Sequence, residues 1–274
     1  IDYNQTEINF QWLPVGEEIT GVIGRTTDRN DFSAFGSSIS LSSNGSLIAI
    51  GDYYESTSNS SSATYKQGTV RVFGWNGSAW TQRGQTIRDT TDEDNNRDLF
   101  GYSVSLSADG GVLAVGIPYE DNTAEYVDAD GSNYSADIGE VRVYAWNGSG
   151  WSELGNRIRG LYAQENFGTD VSLSDNGRIL IVSGFHTPSK NQSGFVRIYE
   201  LSSDNLRWTQ LEDQIDGEAA GDRAQNVSTS SDGRRVAIGA HYNDGGGNNA
   251  GHTRVYEYNG SAWVQLGSDI DGEA

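Results

Sequence analysis

Apolar and polar positions along this chain fall into four phrases that recur in a fixed order. The first alternates, as in Phe100-Gly101-Tyr102-Ser103-Val104-Ser105-Leu106-Ser107, and begins again at Phe35, at Phe167 and, degenerated, at Arg223, with spacings of 65, 67 and 56 residues. The second is continuously apolar, at 47–51, 113–116, 179–183 and 236–239, and each copy follows an Asn-Gly or Asp-Gly. The third alternates around an arginine: Val70-Arg71-Val72-Phe73, Val141-Arg142-Val143-Tyr144, Val196-Arg197-Ile198-Tyr199 and Thr253-Arg254-Val255-Tyr256. The fourth opens on a tryptophan, Trp12, Trp80, Trp151, Trp208 or Trp263, with an isoleucine seven residues on.

Period-two alternation and short apolar runs bounded by turn dipeptides predict strands, and no helical period of 3.6 appears. Four strands per unit, A to D, repeated at a near-constant interval, predict an all-β array of four antiparallel four-stranded blades of the β-propeller type. The units fall at 22–88, 89–159, 160–216 and 217–274, preceded by an extra strand within 1–21. If Asn76-Gly77 is a two-residue hairpin turn, Phe73 faces Trp80 and Arg71 faces Gln82, a pattern repeated at Tyr144 with Trp151 and Tyr256 with Trp263. The Trp and Arg repeats then read as blade architecture, an aromatic cross-strand pair with an arginine beside the Trp face. The alternative is a ligand-binding array.

At Phe100-Gly101, Gly116-Ile117-Pro118 and Gly139-Glu140-Val141-Arg142-Val143-Tyr144 the unit resembles the FG-GAP repeat of integrin-α-type propellers. The resemblance covers nearly the whole chain, with uneven copies: Gly-Ile-Pro of the second unit is Gly-Asp-Tyr, Ser-Gly-Phe and Gly-Ala-His in the others. It implies a propeller used in recognition or adhesion. The calcium loop that the family carries between its first two strands has no room in Ser107-Ala108-Asp109-Gly110, so its ligands find no counterpart here.

There are four A, B and C phrases but five D phrases. The surplus one, Trp12 to Ile19, has no A–C strands before it, and Asp271-Gly272-Glu273-Ala274 repeats a phrase, Asp216-Gly217-Glu218-Ala219, that leads into another A strand. One reading is a segment cut from a longer array. The other is an edge or donor strand that pairs with a neighbouring molecule, which Pro14 within it suits, because open β edges template strand addition. Ring closure is left open by this pattern.

With 38 acidic and 18 basic side chains the formal net charge is −20, which argues against a nucleic-acid partner. No apolar stretch approaches the ~20 residues of a membrane span, and the absence of cysteine removes disulfides and thiolate metal sites. Nine Asn-x-Ser/Thr sequons, at Asn4, Asn44, Asn59, Asn76, Asn133, Asn147, Asn191, Asn226 and Asn259, point to an extracellular or cell-surface glycoprotein. The repeated Asn-Gly-Ser at Asn76, Asn147 and Asn259 serves turn chemistry whether or not sugar is attached.

The A–B and C–D loops are short, whereas the B–C and D–A loops are long, unequal and polar, so binding is expected on the face they share. Tyr53, Tyr54, Tyr119, Phe185, His186, His241 and Tyr242 follow strand B in successive units and are the candidate ligand-binding collar, suited to a sugar or a protein hot spot. Capping the core at the blade ends is the alternative role. Asp92, Asp94, Asn96 and Asp98, with a second run at 128–133, place oxygen ligands at alternate positions and would take Ca2+ as the one candidate cofactor. The three histidines have no metal-ligand spacing, there is no Gly-x-Ser-x-Gly elbow, and the acidic pairs read as solvated loop residues. The expectation is a non-enzymatic structural and adhesive module that assembles with itself into a fibre or surface layer. Alternatives are recognition of an extracellular protein or carbohydrate on the long-loop face, and glycoside chemistry from carboxylates of two loops.

Overall fold

The computed structural model describes residues 13–21, 33–55, 67–89, 98–121, 137–185 and 192–273, in which every regular element is a strand. Blade 1 is β1 (Ser38–Leu41), β2 (Leu47–Asp52), β3 (Thr69–Trp75) and β4 (Trp80–Gln82), antiparallel in that order. Blade 2 contains β5 (Ser103–Leu106), β6 (Val112–Ile117), β7 (Glu140–Trp146), β8 (Trp151–Glu153) and β9 (Ile158–Arg159). Blade 3 runs β10 (Val171–Leu173), β11 (Ile179–Gly184), β12 (Phe195–Leu201), β13 (Trp208–Gln210) and β14 (Ile215–Asp216). Blade 4 runs β15 (Ala224–Thr229), β16 (Arg235–Ala240), β17 (His252–Tyr258), β18 (Trp263–Gln265) and β19 (Ile270–Asp271).

The fourth strand is one line in two pieces: β8 and β9 both pair with β7, β13 and β14 both with β12, and β18 and β19 both with β17. Ile87 continues the same line in blade 1 as a bridge to Val70. This break explains the Trp-to-Ile interval of the sequence. The outer strand bulges at the Gly of Trp-x-x-x-Gly, where Gly84, Gly155 and Gly267 have φ near +80°, and re-pairs at the isoleucine.

The C–D hairpin departs from the expected register. Trp75 faces Trp80 and Phe73 faces Gln82, a slip of two residues. The cause is the Asn side chain: Asn76 Oδ1 accepts N–H bonds from Ser78 (2.9 Å) and Ala79 (2.9 Å), while Asn76 N–H donates to Ala79 O, closing a four-residue loop instead of a two-residue turn. Asn147 and Asn259 do the same, so the cross-strand pairs are Trp146 with Trp151 and Tyr258 with Trp263. The arginines accordingly do not lie beside the Trp. Arg71, Arg142 and Arg197 stand 5.8, 5.9 and 5.7 Å over Phe35, Phe100 and Phe167, the residues of the Phe-Gly phrase.

Three cores lie between blades rather than within them. One joins Val70, Val72 and Ile87 to Val104, Leu113 and Val115; one joins Val141, Val143 and Ile158 to Phe167, Leu180 and Trp208; one joins Val196 and Ile198 to Val236, Ile238 and Tyr256. Close approach explains two of the recurring glycines. A Cβ on Gly51 would stand 2.2 Å from Gly101 O, and one on Gly116 would stand 2.1 Å from Gly168 O, so each Phe-Gly abuts the strand-B glycine of the blade before it. Hydrogen bonds step through the series as well: Leu106 N–H to Ser40 Oγ, Leu173 N–H to Ser105 Oγ and Thr229 N–H to Ser172 Oγ. Blades 1 to 4 therefore form one continuous arc, and the four sheets do not close into a ring.

Residues 13–21 form no strand ladder and lie on the outer part of blade 1. Val15 O accepts the indole N–H of Trp80 (2.9 Å), and Gly16 lies against Trp75. The same seat is filled between later blades, where Arg83 O accepts from Trp151 Nε1 (3.0 Å) and Leu154 O from Trp208 Nε1 (2.9 Å). The surplus D phrase thus occupies, on blade 1, the place of a preceding blade's outer strand.

Candidate functional site

The ends of strands B and the turns before strands A meet on the long-loop face, where backbone bonds fix the collar. Tyr119 N–H donates to Asp98 O (3.3 Å), Phe185 N–H to Glu165 O (2.7 Å) and Tyr242 N–H to Asp222 O (3.3 Å). Each acceptor is the residue one or two places before the Phe-Gly phrase or its counterpart, so the repeat itself sets the spacing of the aromatics.

The rings gather in two groups. Tyr53 stacks obliquely on Tyr54 (4.4 Å) and on Tyr102 (5.4 Å), and Tyr119 lies close enough to Tyr102 to raise its pKa after burial, the larger cause. On the opposite blades His241 packs on Tyr242 (4.3 Å), and the Arg223 guanidinium stands 4.8 Å from the rings of both Phe185 and Tyr242. Tyr102 and Arg223 belong to these groups although sequence reading left them out. Tyr102 stands in the Phe-Gly-Tyr phrase of blade 2, and Arg223 replaces the Phe of that phrase in blade 4. His186 lies outside the described residues.

A cleft of about 320 Å³ is lined by the strand-A ends of all four blades, among them Ser38, Tyr102, Ser103, Asp170, Gln225 and Asn226. Its chemistry is hydroxyl and amide with one carboxylate. Asp170 accepts N–H bonds from Val171 (2.9 Å) and Val227 (2.8 Å), yet burial pushes its carboxyl up to about 6. Gln225 Oε1 is buried with no hydrogen-bond partner. Such a cleft can hold a small polar, hydroxyl-bearing group.

Beneath this face the strand-C arginines are buried in ion pairs. Arg142 bonds Asp89 (2.5 Å) and Glu140, with Glu120 3.6 Å away; Arg197 bonds both oxygens of Glu165 (3.0 and 2.6 Å); Arg71 bonds Glu55 (2.6 Å). The acids were expected to be solvated, but Asp89, Glu140 and Glu165 are buried. They follow the arginine inward because a buried guanidinium demands carboxylate partners. Glu120 has the least favourable position: burial and the neighbouring Glu140 lift its carboxyl to about 7 against the pull of Arg142.

Of the expected calcium ligands, Asp92, Asp94 and Asn96 lie outside the described residues, as does 128–133, and Asp98 is buried. Among the sequons, Asn4, Asn59, Asn133 and Asn191 also lie outside them. Asn44, Asn76, Asn147, Asn226 and Asn259 are exposed. The first three and Asn259 use Oδ1 to close their turns, so these turn bonds do not engage Nδ2, the atom a glycan joins, whereas Asn226 lines the cleft. No helix among the described residues is long and apolar enough to cross a membrane.

No protein-family model matches the chain, and no curated protein matches it. Among solved structures it is similar to KlAtg21 in its complex with the coiled coil of AgAtg16 (12% identity, TM-score 0.52) and to the periplasmic gluconolactonase PpgL of Pseudomonas aeruginosa (12% identity, TM-score 0.49). Each match covers 86% of this chain and 57% of the other, so the chain spans little more than half the length of these neighbours. At such identity the likeness is one of architecture: this is an all-β, propeller-type arc of four blades.

Proposed function

We propose that this chain is an extracellular, non-enzymatic repeat module of the FG-GAP kind that builds a larger structure from copies of itself, joined head to tail through the two ends of its arc. The observation that carries this reading is the outer face of blade 4, which none of the described residues covers. Ile270 is 63% exposed, whereas its counterparts Ile87 and Ile158 are 4% and 5% exposed beneath the next blade. Leu266 is exposed beside it, and Gly267, whose counterparts Gly84 and Gly155 receive a Trp, has nothing within 4 Å. At the other end Ile39 is 63% exposed, while Val104 of blade 2 is 8% exposed against the blade before it.

The two ends are complementary halves of the interface used three times inside the chain. A second copy brings Ile39 and Leu41 to the face of Leu266 and Ile270; Ser228 Oγ then accepts from the incoming Leu41 N–H, as Ser172 Oγ accepts from Thr229. At the outer seat Leu266-Gly267 replaces Val15-Gly16 over Trp75 and Trp80. Such a contact is heterologous and propagates unless the rotation closes. The sequons support an extracellular place for the assembly.

The double variant Leu266→Lys with Ile270→Lys tests this by sedimentation velocity. The native chain should show species that grow with concentration, and the variant should remain a single slow component with unchanged circular dichroism. A native chain that stays monomeric up to millimolar concentration overturns the proposal. A second reading, recognition of a polar extracellular ligand, is favoured by the aromatic groups flanking the hydroxyl-lined cleft. Tyr54→Ala with Tyr119→Ala and Tyr242→Ala would abolish that binding and leave assembly intact.

A further inference from the structure

We propose that blade 4 carries a site for one first-row divalent cation, held by His252, Asp269 and Glu218. The first residue of strand C and the residue before the D-strand isoleucine stand diagonally on one face of each blade, the register partner of the first being the residue after the isoleucine. They are Thr69 and Thr86 in blade 1, Glu140 and Arg157 in blade 2, Phe195 and Gln214 in blade 3, and His252 and Asp269 in blade 4. Blade 2 places Arg157 3.9 Å from Glu140, whose closer partners are Arg142 and, at 2.7 Å, Arg159. Blade 4 instead places an imidazole against a carboxylate, and the connector from blade 3 adds a second.

The His252 side chain is 1% exposed, and its Nε2 has no hydrogen-bond partner among the described residues. A buried imidazole left in this way is costly. Its Nδ1 points between Asp269 Oδ2 (3.4 Å) and Glu218 Oε2 (3.8 Å), and one donor atom from each of the three lies within 4.8 Å of the others. Donors on a common tetrahedral ion with bonds of about 2.0–2.2 Å stand roughly 3.3–3.6 Å apart; the 3.4 Å from Nδ1 to Asp269 falls in that range, the 3.8 Å to Glu218 lies just above it, and both are long for a good N–H···O bond.

The remaining contacts suit ligands already held in place. Gln265 Nε2 donates to Asp269 Oδ1 (2.6 Å), leaving Oδ2 turned to the histidine, as outer groups orient ligating carboxylates. Asn243 Nδ2 approaches Glu218 Oε2 (3.5 Å), and Arg254 Nη1 approaches Glu218 Oε1 (3.5 Å). The arginine opposes a cation, but the two carboxylates leave the site net negative. One nitrogen and two oxygens, with a fourth position open beside the exposed Glu218, select Zn2+ or a similar ion over Ca2+, which takes six to eight oxygens. Because Asp269 adjoins Ile270, a bound ion would also fix the outer strand of the blade 4 face. The site itself stands whether or not that face assembles.

Isothermal titration of ZnCl2 into chelator-stripped protein tests the proposal, with CaCl2 as the contrasting probe. The expected result is one Zn2+ per chain, no saturable Ca2+ binding at this stoichiometry, and affinity at least tenfold lower in His252→Gln and in Asp269→Asn. Asp213→Asn, at an exposed carboxylate, should leave the affinity unchanged. Asp269 is partly exposed, so its variant keeps the fold and remains informative if His252→Gln does not. Absence of saturable Zn2+ binding, or binding indifferent to both substitutions, overturns the site.

Discussion

Blade 2 and blade 4 write the same outer phrase, Trp-x-x-Leu-Gly-x-x-Ile, yet one copy is buried and the other lies open. In blade 2, Leu154 O holds the Trp208 indole, Gly155 receives its ring, and Ile158 sits in the core shared with blade 3. In blade 4, Gly267 meets nothing and Ile270 stands in solvent. The phrase therefore encodes a socket for the next blade, and the stability it gives depends on whether that blade arrives. Blades of this kind share their cores with their neighbours, so an end blade carries half a core.

The contrast breaks most sharply at the strand-B glycine. Gly116→Ala puts a Cβ 2.1 Å from Gly168 O and 2.2 Å from Ser103 Oγ, while the same change at Gly239 meets its nearest atom at 3.5 Å. Chemical denaturation should show Gly116→Ala losing about 3 kcal/mol or more, and Gly239→Ala neutral or stabilised by up to ~1 kcal/mol through the unfolded chain. The reverse order would mean that blades 1 to 3 are not pressed together as described.

Truncating the isoleucine gives the next effect. Ile158→Ala should cost about 2–4 kcal/mol by opening a cavity between blades 2 and 3, whereas Ile270→Ala in dilute monomer should stay within about 0.5 kcal/mol. At concentrations where copies associate, Ile270→Ala should raise the concentration at which half the chains assemble. Equal costs in dilute solution would show that blade 4 is covered by its own chain.

The smallest effect is electrostatic. Glu120, lifted to about 7 by burial and Glu140, binds its proton more tightly folded than unfolded. Its contribution to stability is therefore fully present below the ordinary carboxylate range near 4.5 and is lost as pH rises through 7. Asp170, raised to about 6, acts in the same direction. Glu120→Gln should raise stability at pH 8 by on the order of 1–3 kcal/mol and have little effect at pH 4. Thermal unfolding at the two pH values checks this, and a uniform shift at both would contradict it.

Much of this architecture was legible because each phrase has a local physical cause. Alternation marks strand A, a continuous apolar run marks the doubly covered strand B, and the Asn-Gly and Asp-Gly turns separate them. The hairpin register was not legible from Asn76-Gly77 alone, since the Asn76 side chain captures two backbone N–H groups and lengthens the loop. The buried ion pairs were hidden for another reason: nothing local in the sequence joins Glu140 to Arg142 or Glu165 to Arg197 until strand C is placed inside. The trio His252, Asp269 and Glu218 comes from three separate strands and connectors, so only the fold joins it. The open face of blade 4 had a sequence signal in the fifth D phrase, but which seat that phrase fills emerged only from the Val15 carbonyl on Trp80.

The most direct test of head-to-tail assembly is negative-stain electron microscopy of the purified native chain, with mass in solution measured on the same sample. The account predicts regular filaments or curved chains of arcs whose mass rises with concentration and which vanish in the Leu266→Lys, Ile270→Lys variant. Discrete particles with the mass of one chain at every concentration would contradict it.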